Sequence, residues 1–124
     1  MKNTNLIPLT FHVGGQLYEV RKVERCDNNS VGLSSYCGGF IEIADVFNKD
    51  DIQGEGNKTN TFFHELTHVI LDNMGEKDLS GNEKFVSTFA GFLTEAMISA
   101  EYPKPKVERV APVKTVTKKK KTRR

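Results

Sequence analysis

Asn57-Lys58-Thr59-Asn60-Thr61-Phe62-Phe63-His64-Glu65-Leu66-Thr67-His68-Val69-Ile70-Leu71-Asp72-Asn73-Met74 contains neither Pro nor Gly, and its apolar residues recur at helical period. On a wheel of about 100° per residue, Phe62, Phe63, Leu66, Val69, Ile70 and Met74 share one side. Thr61, His64, Glu65, His68 and Asp72 share the other. The stretch reads as one amphipathic helix, closed by Gly75. Its apolar side is expected to enter a core, and its His/Glu side to line a cleft.

The spacing inside this helix carries chemistry. Positions four apart lie on one helical face, so His64 and His68 can aim ring nitrogens at a single ion. Neutral imidazole suits Zn²⁺ at about 2.0–2.1 Å, and a catalytic zinc takes three protein ligands and leaves its fourth position to water. Glu65, about 100° round from His64, overhangs the same cleft and can handle a proton. With 3 His and 10 Glu in 124 residues, chance supplies roughly 0.006 copies of the pattern His-Glu-x-x-His. It therefore reads as a metal site, and a third ligand must be found.

Four downstream acids are available: Asp72, Glu76, Asp78 and Glu83. Asp72 lies a rise of about 12 Å beyond His64, too far to share its ion, but it can reach the second ring of His68 from one turn away and fix its tautomer. Glu83 opens a second expected helix, over Gly81–Glu101, that carries Phe85, Val86, Phe89, Ala90, Phe92, Leu93, Ala96 and Met97. There it sits beside Ser87, Ala90 and Thr94, small residues that let two helices approach closely. A loop of about six residues makes the helices antiparallel neighbours. Glu83 is the preferred third ligand and Glu76 the alternate. The competing use of Glu83 is a capping box, Ser80-Gly81-Asn82-Glu83, in which its side chain bonds back to the N-cap amide.

His64-Glu65-Leu66-Thr67-His68 followed by Asn82-Glu83 resembles the zincin metallopeptidases whose third ligand is a glutamate on the next helix, the gluzincin arrangement. Over roughly residues 31–100 the chain looks most like minimal ImmA/IrrE-type peptidases and the small HExxH proteins of phage genomes. The resemblance implies zinc held by His64, His68 and Glu83, Glu65 as general base, and a peptide or protein substrate. It also implies a cytoplasmic setting, the host cytoplasm if the protein is phage-encoded. The pattern with a third histidine six residues after the second is not met, because that residue is Met74. No second electrophile is assigned; Tyr36 and Tyr102 are the available tyrosines, and both read more simply as half-buried residues.

Upstream of the helix the chain reads as strands. Leu9–Val13 and Gln16–Val23 alternate around Gly14-Gly15, a hairpin signal. Asp27-Asn28-Asn29-Ser30 is a turn, and Val31–Tyr36, Cys37-Gly38-Gly39 and Phe40–Ala44 repeat the hairpin pattern. The expected fold is α+β, with three or four mostly antiparallel strands packed on two helices. Phe40–Ala44 reads equally as an internal strand or as an edge strand that binds substrate backbone by strand addition. Asp45–Lys58 reads as a connecting loop, and His12 as an ordinary strand histidine.

Charge divides the chain in two. Residues 103–124 hold 10 Lys/Arg against one Glu, a net +9, whereas residues 1–102 hold 8 against 15, a net −7. The expectation is one domain over 1–102 and a Pro/Lys-rich disordered tail over 103–124, able to contact nucleic acid through phosphates. No run of about 18 apolar residues is present, so no membrane span or signal peptide is expected. Cys26 and Cys37 form no CxxC pair and are expected as free thiols. Two readings from other classes stand beside the peptidase: a zinc-stabilised binding protein without catalysis, and a peptidase brought to nucleic acid by its tail.

Overall fold

The computed structural model describes residues 6–105. The strands are β1 (Thr10–Val13), β2 (Gln16–Val23), β3 (Gly32–Ser35) and β4 (Phe40–Ala44), followed by the short β5 (Val46–Phe47) and β6 (Asp51–Ile52). The helices are α1 (Glu55–Met74), the single turn α2 (Lys77–Ser80) and α3 (Glu83–Ser99). The first four strands form one sheet in the order β1-β2-β4-β3, antiparallel except for the β2–β4 pair. The architecture is the α+β arrangement expected, with one additional helical turn. No described helix is long and apolar enough to cross a membrane.

Both expected hairpins form. Gly14 and Gly15 adopt φ of 61° and 82°, the paired left-handed conformation that a two-residue turn between right-twisted strands requires. Gly14 is doubly constrained, since a Cβ there would lie 2.3 Å from Asn73 Oδ1 of α1. Alternation along the strands buries one face of the sheet: Tyr18, Ile41 and Ile43 are wholly inaccessible. On the solvent face Arg21 stacks over Phe40, 4.1 Å from the ring centroid, and pairs with Glu19 at 2.9 Å. Phe40–Ala44 is internal, between β2 and β3, so the free edge beside the helices belongs to β3.

α1 packs on the inner face of the sheet, and α3 packs on α1 rather than on the sheet. Phe62, Phe63, Val69 and Ala90 join Tyr18, Ile41 and Ile43 in one core. Because α1 has neighbours on two sides, its polar side is not simply solvent-facing, as the wheel implied. Thr61 and Glu65 are buried, whereas Ile70 and Met74, on the expected core side, are 39% and 64% exposed. α1 also starts earlier than its apolar period announces, at Glu55.

The segment expected as a loop is more ordered than that. β5 and β6 make a small hairpin whose turn is held by Arg25, donating to the carbonyls of Asn48 and Lys49 at 2.7 Å each. Gln53, 3% exposed, then joins sheet to helix. Its Nε2 donates to the carbonyls of Ala44 (2.6 Å) and Val31 (3.1 Å), while its Oε1 accepts from Thr61 Oγ1 (2.6 Å) and Asn57 Nδ2 (2.8 Å). A buried amide with every bond made fixes position, and removing it orphans several groups at once. Gln53→Leu is expected to lower stability by about 2–4 kcal/mol in urea unfolding. An unchanged midpoint would show that Gln53 does not join the layers.

Candidate metal centre

His64 and His68 project from consecutive turns of α1, half-buried, with ring centroids 5.0 Å apart. The third group arrives from α3 through a tight reversal. Gly75, at φ 79°, ends α1 with a Schellman pattern: its N–H donates to the Asp72 carbonyl, and the Glu76 N–H to the Leu71 carbonyl. The turn of α2 carries the chain back so that α3 begins beside the His pair. Glu83 is the first residue of α3, and its carboxylate spans both rings. Oε1 lies 3.3 Å from His64 Nε2, and Oε2 lies 3.3 Å from His68 Nε2.

The competing use of Glu83, a capping box over Ser80–Glu83, is not what the structure shows. Asn82 is the N-cap, accepting from the Phe85 N–H at 3.1 Å, which leaves the Glu83 side chain free to face α1. Ser80 has another use: it is buried, and its Oγ lies 3.1 Å from His68 Nδ1. With a metal on Nε2, Nδ1–H would donate to the Ser80 hydroxyl and so hold the ring in the tautomer that ligation needs. The role expected of Asp72 thus belongs to Ser80, because α2 folds back over the ring; Asp72 lines the cleft instead. Glu76 and Asp78 are exposed near α2 and stand outside the cluster.

His64, His68 and Glu83 each offer one donor atom, all within 4.8 Å of one another, and together they make a possible metal-binding triad. The fit can be judged from tetrahedral geometry. Ligands at about 2.0–2.1 Å from one ion stand roughly 3.3–3.4 Å from each other; each imidazole nitrogen lies 3.3 Å from a different oxygen of the Glu83 carboxylate. Two nitrogens and one oxygen are a donor set that zinc accepts.

Glu65 lies beside this cluster, 8% exposed. Burial lifts its carboxyl above the ordinary carboxylate range; a hydrogen bond from the Ser34 side chain and the nearby His64 and His68 oppose the rise, and Glu83 adds to it. Ser34 is on β3, which comes this close only because Gly32 lacks a side chain. A Cβ at Gly32 would meet Thr61 Cγ2 at 2.4 Å and Glu65 Cγ at 3.3 Å. The resulting cleft, of about 610 Å³, runs between β3 and the helices and takes in His64, Glu65, His68 and Glu83. Asn57, Asn60 and Ser87 add polar walls. Neither Tyr36 nor Tyr102 lines it, and His12 is exposed on β1, at the opposite sheet edge from β3.

Sequence reasoning reached the triad and Glu65 but missed Gly32, Ser34 and Ser80. Gly32 carried a signal, since an isolated glycine in a strand marks close backbone approach. The cysteines stand outside the cluster. Cys37 is exposed, and Cys26 is buried, its thiol pushed up to about 11 by burial and by Glu42, Glu65 and Asp27. Compared with protein-family models, curated proteins and solved structures, the chain matches none.

Two outcomes follow from this geometry. Ser80→Ala is expected to weaken metal binding at least tenfold, on the order typical of outer contacts to a ligating histidine; competition with a chromophoric chelator measures it, and unchanged affinity removes Ser80 from the site. At pH 8 a thiol reagent is expected to modify Cys37 in the folded protein and Cys26 only after unfolding. Equal rates for both thiols would contradict the burial of Cys26.

Proposed function

We propose that this protein is a small zinc-dependent peptidase, with His64, His68 and Glu83 as metal ligands and Glu65 as general base. The observation that carries the reading is the Glu83 carboxylate set against both imidazoles, one oxygen 3.3 Å from each Nε2, beside a buried carboxyl in an open cleft. Bound there, zinc would supply a Lewis acid that draws the pKa of water towards 7 and polarises a scissile carbonyl.

The chain's own groups supply the remainder. Ser80 holds the His68 ring with its Nε2 towards the cleft. Ser34 hydrogen-bonds the Glu65 carboxylate and so orients it to take the proton of the attacking water and return it to the leaving amine. The free edge of β3 offers backbone amides and carbonyls to an extended peptide, which would lie across the cleft by strand addition. This edge takes the part that Phe40–Ala44 had in the sequence reading. The substrate is accordingly a peptide or an extended segment of a protein.

Two variants test this together. Glu65→Gln is expected to retain about one zinc per chain while peptide hydrolysis falls by roughly 10²–10⁴-fold. Glu83→Ala is expected to lose both zinc and hydrolysis. Hydrolysis that survives Glu65→Gln would overturn the general-base role. Zinc that raises the melting temperature of wild type while a diverse peptide library stays uncut would transfer the site to the alternative reading, a structural staple in a binding protein.

A further inference from the structure

α3 turns one row of phenylalanines away from the core. Phe85, Phe89 and Phe92 are 37%, 48% and 68% exposed, and they fall on one helical face at spacings of four and three. The Phe85 and Phe89 rings stack, centroids 6.0 Å apart at 15°. With Asn82, Lys84 and Thr88 they line a groove of about 460 Å³, separate from the metal cleft.

Its size selects among occupants. The three rings leave about 300 Å² of aromatic surface uncovered, taking roughly 200 Å² for a whole ring. A stable complex of two chains buries about 800 Å² on each partner. The groove therefore suits a short extended segment better than a second copy of this chain.

Such a segment is present in the sequence. Val107, Val110, Val113 and Val116 recur at intervals of three, with Pro105 before them and Pro112 among them. A period of three is that of the polyproline II helix, which places every third side chain on one edge, about 9.3 Å apart. Phe85 and Phe92 are seven residues apart, about 10.5 Å along α3. Two successive valines thus match the two ends of the phenylalanine row, with Phe89 between them. Polyproline segments characteristically dock in grooves lined by aromatic rings, because the ligand is already extended and loses little entropy on binding.

Length and charge agree with this occupant. Phe92 lies seven residues before Ser99, about 10.5 Å back along α3, and the thirteen residues from 100 to 112 span up to about 43 Å, enough to reverse and bring Val113 to Phe92 and Val116 to Phe85. A segment running antiparallel to α3 then carries Lys118-Lys119-Lys120-Lys121 past the start of that helix, where Glu76, Asp78 and Glu83 outnumber Lys77 and Lys84. Residues 103–124 bear +9 and residues 1–102 bear −7. We infer that residues 107–116 of this chain dock along Phe85, Phe89 and Phe92, so that the α3 groove is the intramolecular seat of the basic tail.

The test uses the full chain labelled at its valine methyl groups. In the monomer, nuclear Overhauser contacts are expected between methyls of Val107–Val116 and the rings of Phe85, Phe89 and Phe92, with upfield ring-current shifts of those methyls. Both are expected to vanish in Phe89→Ser. Because an exposed-face variant can still disturb α3, Val110→Asp combined with Val113→Asp provides the second arm: it lies outside the domain and is expected to abolish the contacts while the melting temperature holds. Valine methyls at the shifts of a free 103–124 peptide would overturn the inference. So would contacts that disappear on dilution together with a fall in sedimentation coefficient, since these would assign the groove to a second copy.

Discussion

The reversal between α1 and α3 decides where Glu83 stands, and the candidate chemistry depends on it. Two histidines one turn apart on α1 follow from helical geometry alone. A carboxylate reaching both of them does not. It requires Gly75 in the left-handed conformation, one turn of α2, and an N-cap supplied by Asn82 so that Glu83 is not spent on the helix terminus. Without a cation the arrangement would gain little. Glu83 is 67% exposed, and a 3.3 Å pairing with imidazole at that exposure belongs with surface ion pairs worth about 0–1 kcal/mol. The three donors converge for little return as an ion pair, and together they make a possible metal-binding triad.

Packing around α1 prepares the other half of the site. The helix is covered on one side by the sheet and on another by α3, and Gly32 lets β3 approach until Glu65 is nearly excluded from water. Burial raises the Glu65 carboxyl, so in the metal-free protein this group opposes folding increasingly as pH rises through its lifted value. This buried carboxyl stands beside a cleft and a possible metal-binding triad, the kind of setting in which perturbed groups cluster. Gln53 acts in the opposite sense: it is equally buried, makes four hydrogen bonds and ties the sheet to the start of α1.

Much of this was legible in the sequence where the determinants are local. Gly14-Gly15 between alternating runs specified the first hairpin, and the period of Phe62, Phe63, Leu66 and Val69 specified α1. Long-range choices were not legible. The β2–β4 pairing is parallel and joins strands that are not consecutive, so no turn encodes it. The burial of Thr61 and Glu65 follows from β3 closing on α1 at Gly32, which a single-helix wheel cannot represent. The N-cap of α3 is Asn82, not the Ser80 of the alternative capping box, because α2 ends at Ser80 and turns its hydroxyl onto His68. Asp72 likewise lost the His68 contact to a residue twelve positions away. The basic run Lys118–Lys121, the expected disorder of the tail and its expected contact with nucleic acid lie outside the described residues, apart from the exposed 103–105.

The central claim is that one zinc ion is held by two imidazoles and the Glu83 carboxylate. X-ray absorption at the zinc edge of the full-length protein tests it most directly. The account predicts a first shell of nitrogen and oxygen at about 2.0–2.1 Å, with the outer-shell scattering of two imidazoles and no sulfur. A sulfur contribution at about 2.3 Å, placing Cys26 or Cys37 on the metal, or the scattering of a single imidazole, would contradict it.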